Sequence, residues 1–398
     1  MNAMHILKFP LRIQHRLSPT SPARLGRLLT ACGVALLLLV LPPLANAQVF
    51  NSEIQRFRAQ TITEGLEFPW GLAFLPDGRM LVSERPGRLR LIGADGKLDP
   101  QPVTGLPPIA AINQGGLLDI ALHPDFPKNG WIYLSYAAEG PGGYGTEVLR
   151  GRLEGHALRD VQILFRMQPK SQTSHHFGSR LVFDRQGYLY ITLGDRGEMA
   201  RAQRLDDHAG SVVRLYDDGR VPQDNPFVGK AGAKPEKFTL GNRNVQGAAL
   251  HPQTGEIWAH EHGPQGGDEI NIIRAGVNYG WPVITYGRNY GTGTKIGEDT
   301  AKPGMAQPLL YWTPSIAPSG MAFYTGERFP GWRGNLFVGA LAGQMLVRLQ
   351  LDGERIVHQE RLLEGALGRI RDVRQGPDGL LYLLIDSAQG RIVRLEPQ

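Results

Sequence analysis

The stretch GLAFLPDGRMLVSER, residues 71–85, contains the unit that decides the fold of this chain. Alternating apolar residues lead into a Pro-Asp-Gly turn, and a second apolar segment then ends in polar residues. Period-2 alternation predicts a half-buried β-strand, and this turn composition favours a tight hairpin between two such strands. Similar units recur at residues 119–136, 180–195, 247–261, 320–340 and 372–386.

Six self-similar hairpins, spaced roughly 50 to 75 residues apart, predict an all-β fold with six propeller blades around a central axis. The alternative is a β-sandwich of unrelated hairpins, but recurrence of one unit is typical of radial repetition. No break in composition separates the repeats, so we expect one domain over residues 48–398. The loops at 85–118 and 281–318 are longer than a blade turn requires, and such loops usually carry function.

Residues 1–47 have the organisation of a secretory signal peptide. Five basic residues precede the apolar run at 34–41, and a small-residue cleavage site follows at Ala45-Asn46-Ala47. The apolar run is too short to cross a bilayer. We therefore expect a cleaved leader, a mature chain without a membrane span, and a periplasmic or secreted protein.

Removal of this leader changes how the charge and the cysteine content are interpreted. It takes five of the 43 basic residues and none of the 37 acidic ones, which leaves a net charge of about +1. A mature chain this close to neutrality gives no argument for a nucleic-acid partner. The leader also contains the only cysteine, Cys32. We therefore expect no disulfide, thiolate nucleophile or cysteine-ligated metal.

His175 and His176 precede the third hairpin, and Asp195 ends it. A histidine oriented by a carboxylate is the usual general base for removing a proton from a hydroxyl group. The alternative is a surface histidine pair that caps a strand. The residue types do not decide which of the two histidines faces the axis.

Several polar residues could contact an anionic ligand. Arg243 and Asn244 follow a glycine, where a fixed guanidinium could stabilise charge on a bound carbonyl. Arg369 and Arg371 are expected on one face of a predicted strand, where they could hold a carboxylate together. Gln114 could present an amide at the mouth of the axis. Each also has an ordinary structural interpretation, as a solvated turn, a solvated strand face or a glycine turn.

Oxygen donors are concentrated between residues 263 and 279. The carbonyls of Gly263 and Pro264, the carboxylate of Glu269 and the backbone near Tyr279 are oxygen ligands, which favour calcium over zinc. The alternative for Asp268-Glu269 is a plain acidic turn. There is no EF-hand loop, no HExxH, and no convincing Rossmann, Walker or GxSxG motif. A soluble nicotinamide cofactor is therefore not supported.

Seven motifs occur in the order found in one known family: NQGGLLDIALHPDF, SHHFGSRLVF…YLYITLGDRG, LGNRNVQG, EHGPQGGDEIN, NYGWP, PSIAPSGMAFY and RIRDV. With them, essentially the whole mature chain resembles the soluble PQQ-dependent aldose sugar dehydrogenases, relatives of soluble quinoprotein glucose dehydrogenase. The resemblance implies a six-bladed propeller with pyrroloquinoline quinone (PQQ) and Ca²⁺ over the axis. It also implies an aldose substrate and an external electron acceptor.

The resemblance assigns roles residue by residue. His176 matches the catalytic base, Asp195 its carboxylate partner, and Arg243 a residue that contacts the quinone. The implied cofactor contacts are Gln114, His176, Arg243, Asn244, Ser315, Arg369 and Arg371. The implied calcium ligands are the carbonyls of Gly263 and Pro264 for the ion at the cofactor, and Glu269 and Tyr279 for a second, structural ion.

One position departs from the family pattern. Better-known members have a lysine near the cofactor where this chain has Ala342, so either cofactor affinity is lower or another basic group compensates. Two other functions remain open from the residues. They are a calcium-dependent lactonase that uses no quinone, and a non-catalytic secreted propeller that binds carbohydrate.

Overall fold

The computed structural model describes residues 48–398, and nearly every regular element in that range is a β-strand. The strands form six small antiparallel sheets. The first strand of each sheet lies next to the first strand of the sheets before and after it, which closes the six sheets into a ring. The prediction of an all-β, six-bladed propeller is confirmed. The predicted signal peptide, residues 1–47, lies outside the described residues.

The strands are numbered in chain order. Two strands precede the first blade: β1 (Gln48–Asn51) and β2 (Arg56–Leu66). Blade 1 contains β3 (Pro69–Phe74), β4 (Met80–Glu84) and β5 (Arg88–Ile92). Blade 2 contains β6 (Leu117–Leu122), β7 (Trp131–Gly140), β8 (Gly143–Glu154) and β9 (Ala157–Arg166). Blade 3 contains β10 (Leu181–Phe183), β11 (Leu189–Thr192) and β12 (Val212–Leu215). Blade 4 contains β13 (Val245–Leu250), β14 (Ile257–Glu261), β15 (Asp268–Ile273) and β16 (Leu310–Trp312). Blade 5 contains β17 (Pro318–Phe323), β18 (Leu336–Ala340), β19 (Met345–Asp352) and β20 (Arg355–Leu362). Blade 6 contains β21 (Ile370–Gln375), β22 (Leu381–Ile385) and β23 (Gly390–Pro397).

Helices are short and few in residues 48–398. They are α1 (Phe126–Asn129) and two 3₁₀ turns, Met199–Gln203 and Pro330–Trp332. None of the helices in this part of the chain has the length and apolar character needed to cross a bilayer.

Each repeated unit of the sequence forms the inner pair of strands of one blade. The period-2 pattern therefore predicts the strands nearest the axis, where both faces are buried, better than the outer strands. The ring is closed by the N-terminal strands, because β2 pairs antiparallel with β23 in the last blade. On β2, Phe57 packs edge-on against Trp332 at 5.3 Å between ring centroids, which attaches the closing strand to blade 5.

The inner hairpins of blades 1, 2, 4, 5 and 6 share an irregularity near the start of their first strand. Their register shifts lie at residues 69–71, 117–120, 245–247, 318–321 and 370–372. A bulge leaves residues unpaired and changes the direction of their side chains. Four residues within these shifts, Trp70, Leu118, Gln246 and Arg371, line one cavity on the axis. The bulges thus direct side chains from different blades to a common place.

Four charged side chains form a buried network across the axis. Asp119 accepts hydrogen bonds from Arg180 at 2.9 Å and from Arg374 at 2.6 Å. Asp372 lies 3.1 Å from Arg180 and 2.8 Å from Arg374. The second oxygen of Asp119 accepts the backbone N–H of Leu181 at 2.8 Å. Two acids and two arginines therefore balance each other while joining blades 2, 3 and 6.

Replacing Asp119 with alanine should lower the free energy of unfolding by about 3–5 kcal/mol, because it leaves two buried guanidinium groups sharing one carboxylate. Asp77→Ala is the matched control, since it removes an exposed ion pair with Arg79 that should be worth less than about 1 kcal/mol. Chemical denaturation of both variants measures the difference. Equal, small losses would show that the axial network does not hold the blades together.

Candidate active site at the propeller axis

A cavity of about 360 Å³ lies at one end of the axis. Its charged lining groups are Arg85, Arg369 and Arg371 against a single acid, Asp386. Gln114, Asn244 and Gln246 add amides, and Trp70 and Phe177 add aromatic surface. An excess of guanidinium groups in a partly enclosed cavity favours an anionic ligand.

His176 directly precedes Phe177 and Gly178, which line this cavity, and its ring is held by Asp195. The Nδ1 atom of His176 lies 2.6 Å from Oδ1 of Asp195, whose side chain is fully buried. The backbone N–H of His176 donates to the cavity-lining amide of Gln114 at 2.9 Å. With Nδ1 bonded to a carboxylate, Nε2 is the nitrogen left to accept a proton. Of the two adjacent histidines, His176 therefore has the geometry of a general base.

Both carboxylate oxygens of Asp195 accept hydrogen bonds. The indole N–H of Trp281 donates to Oδ2 at 2.7 Å, and the backbone N–H of Gly197 donates to Oδ1 at 2.7 Å. Trp281 lies 86 residues away in the sequence, in the loop that follows β15. Sequence reasoning did not assign Trp281, although it lies in the quoted NYGWP motif.

The protonation states follow from this environment. Burial lowers the pKa of His176, the hydrogen bond with Asp195 partly restores it, and the charge of Arg243 lowers it again. Burial alone would raise the pKa of Asp195, but the contacts with His176 and Arg243 bring it below the usual value. Near neutral pH the pair is therefore a neutral imidazole beside a carboxylate.

The side chain of Arg243 is held by hydrogen bonds to the backbone at residues 262–263. Its Nη1 donates to the carbonyls of Gly263 at 2.8 Å and His262 at 3.1 Å, and its backbone N–H donates to the carboxylate of Glu261. Its Nε has no hydrogen-bond partner among residues 48–398. A buried donor without a partner is costly, so this atom is a candidate ligand contact. Asn244, the next residue, lines the cavity and accepts the N–H of Gly178 at 3.1 Å.

Arg369 and Arg371 both reach Asp386, at 3.2 and 3.4 Å. They are not on one face of a regular strand as predicted, because Arg369 precedes β21 and Arg371 lies in the bulge of that strand. The bulge turns Arg371 towards the axis, where its Nη1 donates to Gln246 at 3.0 Å. Both arginines nonetheless line the same cavity, as a shared carboxylate ligand would require.

Ser315, like His176 and Arg243, is outside the lining of the large cavity, and it is bonded to a carboxylate. Its hydroxyl donates to the carboxylate of Asp268 at 2.8 Å, and its side chain is not among the described groups that line the large cavity. Asp268 also accepts the backbone N–H groups of Gly263 at 2.9 Å and Ile316 at 2.7 Å. Ser315 therefore helps to hold the Gly263-Pro264 turn through Asp268.

Three of the four predicted metal-ligand residues line a second cavity of about 10 Å³, the size of one small ion or water, and Pro264 is outside its lining. It is lined by Gly263, Glu269 and Tyr279 together with Glu261, and His262 lines both cavities. Burial raises the pKa of Glu269 to about 8, with the charge of Glu261 adding to it, and burial raises the pKa of Glu261 to about 7.

The carboxylates and carbonyls around the small cavity are oxygen ligands suited to a hard cation. The Tyr279 hydroxyl is bonded to the Ile272 carbonyl, which leaves the Tyr279 carbonyl as its candidate ligand atom. In residues 48–398, the Pro264 and Tyr279 carbonyls accept no hydrogen bond. No group of three His, Cys, Asp or Glu side chains suited to a metal occurs in that range. Carboxylates combined with carbonyls are the ligands that calcium prefers.

Glu261 and Asp386 were not assigned from the sequence, but the repeat contains a signal for both. In four blades an acid lies at the end of the second inner strand or within three residues after it: Glu84, Asp195, Glu261 and Asp386. Aligning the repeats on Asp195 would have placed the other three acids at the same end of the propeller.

Comparison with known proteins places this site in a family. The sequence model described as "Glucose / Sorbosone dehydrogenase" matches residues 66–394. This chain belongs to the glucose/sorbosone dehydrogenase family. The resemblance seen in its motifs is thereby confirmed.

Three relatives illustrate how closely this family member matches known proteins. It is 45% identical over 345 residues to aldose sugar dehydrogenase YliI of Escherichia coli, a match that covers 85% of this chain and 92% of that protein. A crystal structure of a glucose dehydrogenase has 50% identity and a TM-score of 0.82, covering 84% and 98% of the two chains. The PQQ-bound aldose sugar dehydrogenase of Streptomyces coelicolor has 28% identity and a TM-score of 0.71, covering 86% and 98%.

The electrostatics of this glucose/sorbosone dehydrogenase family member can be tested by an NMR pH titration of His176. Its pKa should lie below 6.5, and Asp195→Asn should lower it further because the neighbouring negative charge is lost. Arg243→Gln should raise it, since a repelling positive charge is removed. Two shifts of the same sign would contradict the assigned environment.

Proposed function

We propose that the protein oxidises aldose sugars at the anomeric carbon to lactones, using PQQ and Ca²⁺, and passes the electrons to an external acceptor. The observation that carries this proposal is the buried His176–Asp195 pair beside an arginine-lined cavity. Its relatives support the reaction class, because the E. coli protein is an aldose sugar dehydrogenase and the Streptomyces protein is a PQQ-bound one.

The large cavity has the chemistry that PQQ requires. PQQ is a planar quinone with three carboxylates, and the cavity offers Arg85, Arg369 and Arg371 with planar aromatic surface from Trp70. The Nε atoms of Arg85 and Arg371 have no partner within residues 48–398, so both have donors to spare. Gln114 and Asn244 would supply amide contacts.

The missing family lysine has a candidate substitute. Ala342 brings no charge, but Arg369 reaches across to the carbonyl of Leu341, the preceding residue, at 3.4 Å. Arg85 lines the same cavity. We infer that a guanidinium compensates for the lysine, which makes weak cofactor binding the less favoured alternative.

Two calcium positions fit the donors. The carbonyls of Gly263 and Pro264 would hold the ion at the cofactor; Gly263 accepts one bond from Arg243, and a carbonyl has a second lone pair. Glu269, Glu261 and the Tyr279 carbonyl would hold a second, structural ion, which would compensate two buried carboxylates. His262 lines both cavities, which supports two neighbouring ion positions.

The bound quinone would supply an acceptor for the hydride from the anomeric carbon, and calcium would polarise the quinone carbonyl. The protein supplies the proton chemistry. His176, neutral at pH 7, takes the proton of the anomeric hydroxyl at Nε2, and Asp195 stabilises the imidazolium that forms. Arg243 adds a fixed positive charge beside His176, which favours negative charge developing on a ligand oxygen.

We also propose that the protein acts outside the cytoplasm. Residues 1–47 would serve as a cleaved signal peptide and residues 48–398 as the catalytic propeller. The order of basic residues, apolar run and small-residue cleavage site supports export.

Dye-linked aldose oxidation by purified apoprotein, with and without PQQ and Ca²⁺, tests the function. Turnover should require both additions. His358→Ala, at an exposed outer-strand position, should leave the rate unchanged. Lactone hydrolysis without quinone would identify a lactonase instead, and sugar binding without dye reduction would identify a carbohydrate-binding propeller.

A further inference from the structure

Arg196, the residue after Asp195, is a buried guanidinium with no assigned role. It is fully buried, and no carboxylate in residues 48–398 forms an ion pair with it. Its Nε also has no hydrogen-bond partner in that range. Burial lowers the pKa of Arg196 to about 9, with the charge of Arg201 adding to the effect. A buried charge without an acid is costly, so its retention requires an explanation.

The contacts of Arg196 all lie on the segment that carries His176. Its Nη2 donates to the carbonyl of Thr173 at 2.6 Å, and its Nη1 donates to the carbonyl of His175. Its guanidinium carbon lies 3.5 Å from the centroid of the Phe177 ring. The side chain therefore holds the backbone before His176 and the ring after it.

Further contacts join the segment that carries His176 to the segment that carries Arg196. The hydroxyl of Thr173 donates to the carbonyl of Arg196, and the carboxylate of Asp195 bonds the ring of His176. A side chain on Gly194 would collide with the backbone of His176, and one on Gly197 would collide with the ring of His175. The tetrapeptide Gly194–Gly197 thus fits against residues 173–177 at van der Waals distance.

Both segments hold non-glycine residues in the left-handed region. His176 has φ 55° and Arg196 has φ 60°. Such residues are strained and persist only where surrounding contacts enforce them. The two carbonyl bonds from Arg196 hold the backbone immediately before the strained His176 and are contacts of that kind.

We propose that Arg196 is a positioning residue that fixes the backbone turn at His176 and thereby directs its Nε2 towards the substrate. This inference rests on the proposed role of His176 as base. Asp195 sets the rotation of the imidazole ring, whereas Arg196 sets the position of the backbone from which that ring extends. A planar guanidinium can bridge two carbonyls while stacking on an aromatic ring, which an ammonium group does less well.

A double-mutant cycle with Arg196→Met and His176→Ala tests the proposal in the PQQ- and Ca²⁺-loaded protein. Arg196→Met should lower kcat by about 10- to 100-fold, since small displacements of a catalytic group have effects of that order. The KM for the sugar and the affinity for PQQ should change by less than about threefold. In the His176→Ala background, Arg196→Met should lower kcat no further.

Arg214→Met is the matched control. Arg214 is a buried guanidinium of the same blade that stacks on Tyr188 at 4.6 Å, but it bonds Asn225 and Asp224 away from His176. Arg214→Met should lower the free energy of unfolding and leave kcat near the wild-type value. If Arg196→Met does not fold, Arg196→Lys replaces it, with a smaller loss of kcat expected at an unchanged sugar KM.

The outcomes separate the two hypotheses. Wild-type kcat in the foldable Arg196 variant, or an equal further loss in the His176→Ala background, would overturn the positioning role. Wild-type turnover by His176→Ala alone would instead overturn the assignment of the base.

Discussion

The buried carboxylate of Asp195 is the interaction on which the rest of the site depends. An ionised group costs several kcal/mol to remove from water unless all of its lone pairs are used. Asp195 receives donors from the ring of His176, the indole of Trp281 and the backbone of Gly197. These donors come from three separate segments, so satisfying one carboxylate requires the loops around the axis to converge. The same contacts leave Nε2 of His176 as the free basic atom.

The propeller provides that convergence through two repeated features. In four blades an acid lies at or just after the end of the second inner strand, which gathers Glu84, Asp195, Glu261 and Asp386 at one end of the ring. The bulges at the start of five inner strands then turn residues such as Gln246 and Arg371 into the cavity. Below the cavity, the Asp119–Arg180–Asp372–Arg374 network fills the axis with compensating charge. Acids and arginines alternate in this network, whereas the cavity has three arginines against one acid.

Much of this arrangement could be predicted from the sequence. Period-2 alternation with a turn is a strong local signal, and it located all six inner hairpins and the number of blades. The pairing of His176 with Asp195 could be anticipated because both flank one hairpin. The residue types alone did not decide between His175 and His176, and only the family resemblance pointed to His176. In the structure His176 differs by its bond to Asp195 and its left-handed backbone, which no side-chain pattern encodes.

Other features depend on contacts between distant segments. The hydrogen bond from Trp281 to Asp195 joins loops of two blades, and the bulge at Arg371 changes the register of a strand whose sequence alternates regularly. Ser315 was expected at the cofactor but bonds Asp268, a carboxylate 47 residues away. Arg196 stands in a quoted motif, yet its role becomes visible only when the carbonyls of residues 173 and 175 are seen to face it.

The central claim is that the arginine-lined cavity beside His176 binds a quinone cofactor. A crystal structure of the protein soaked with PQQ and Ca²⁺ tests it most directly. The account predicts quinone density in that cavity, with its carboxylates facing Arg369 and Arg371 and with Gln114 and Asn244 in contact. An empty cavity at saturating PQQ, or quinone bound elsewhere on the protein, would contradict it.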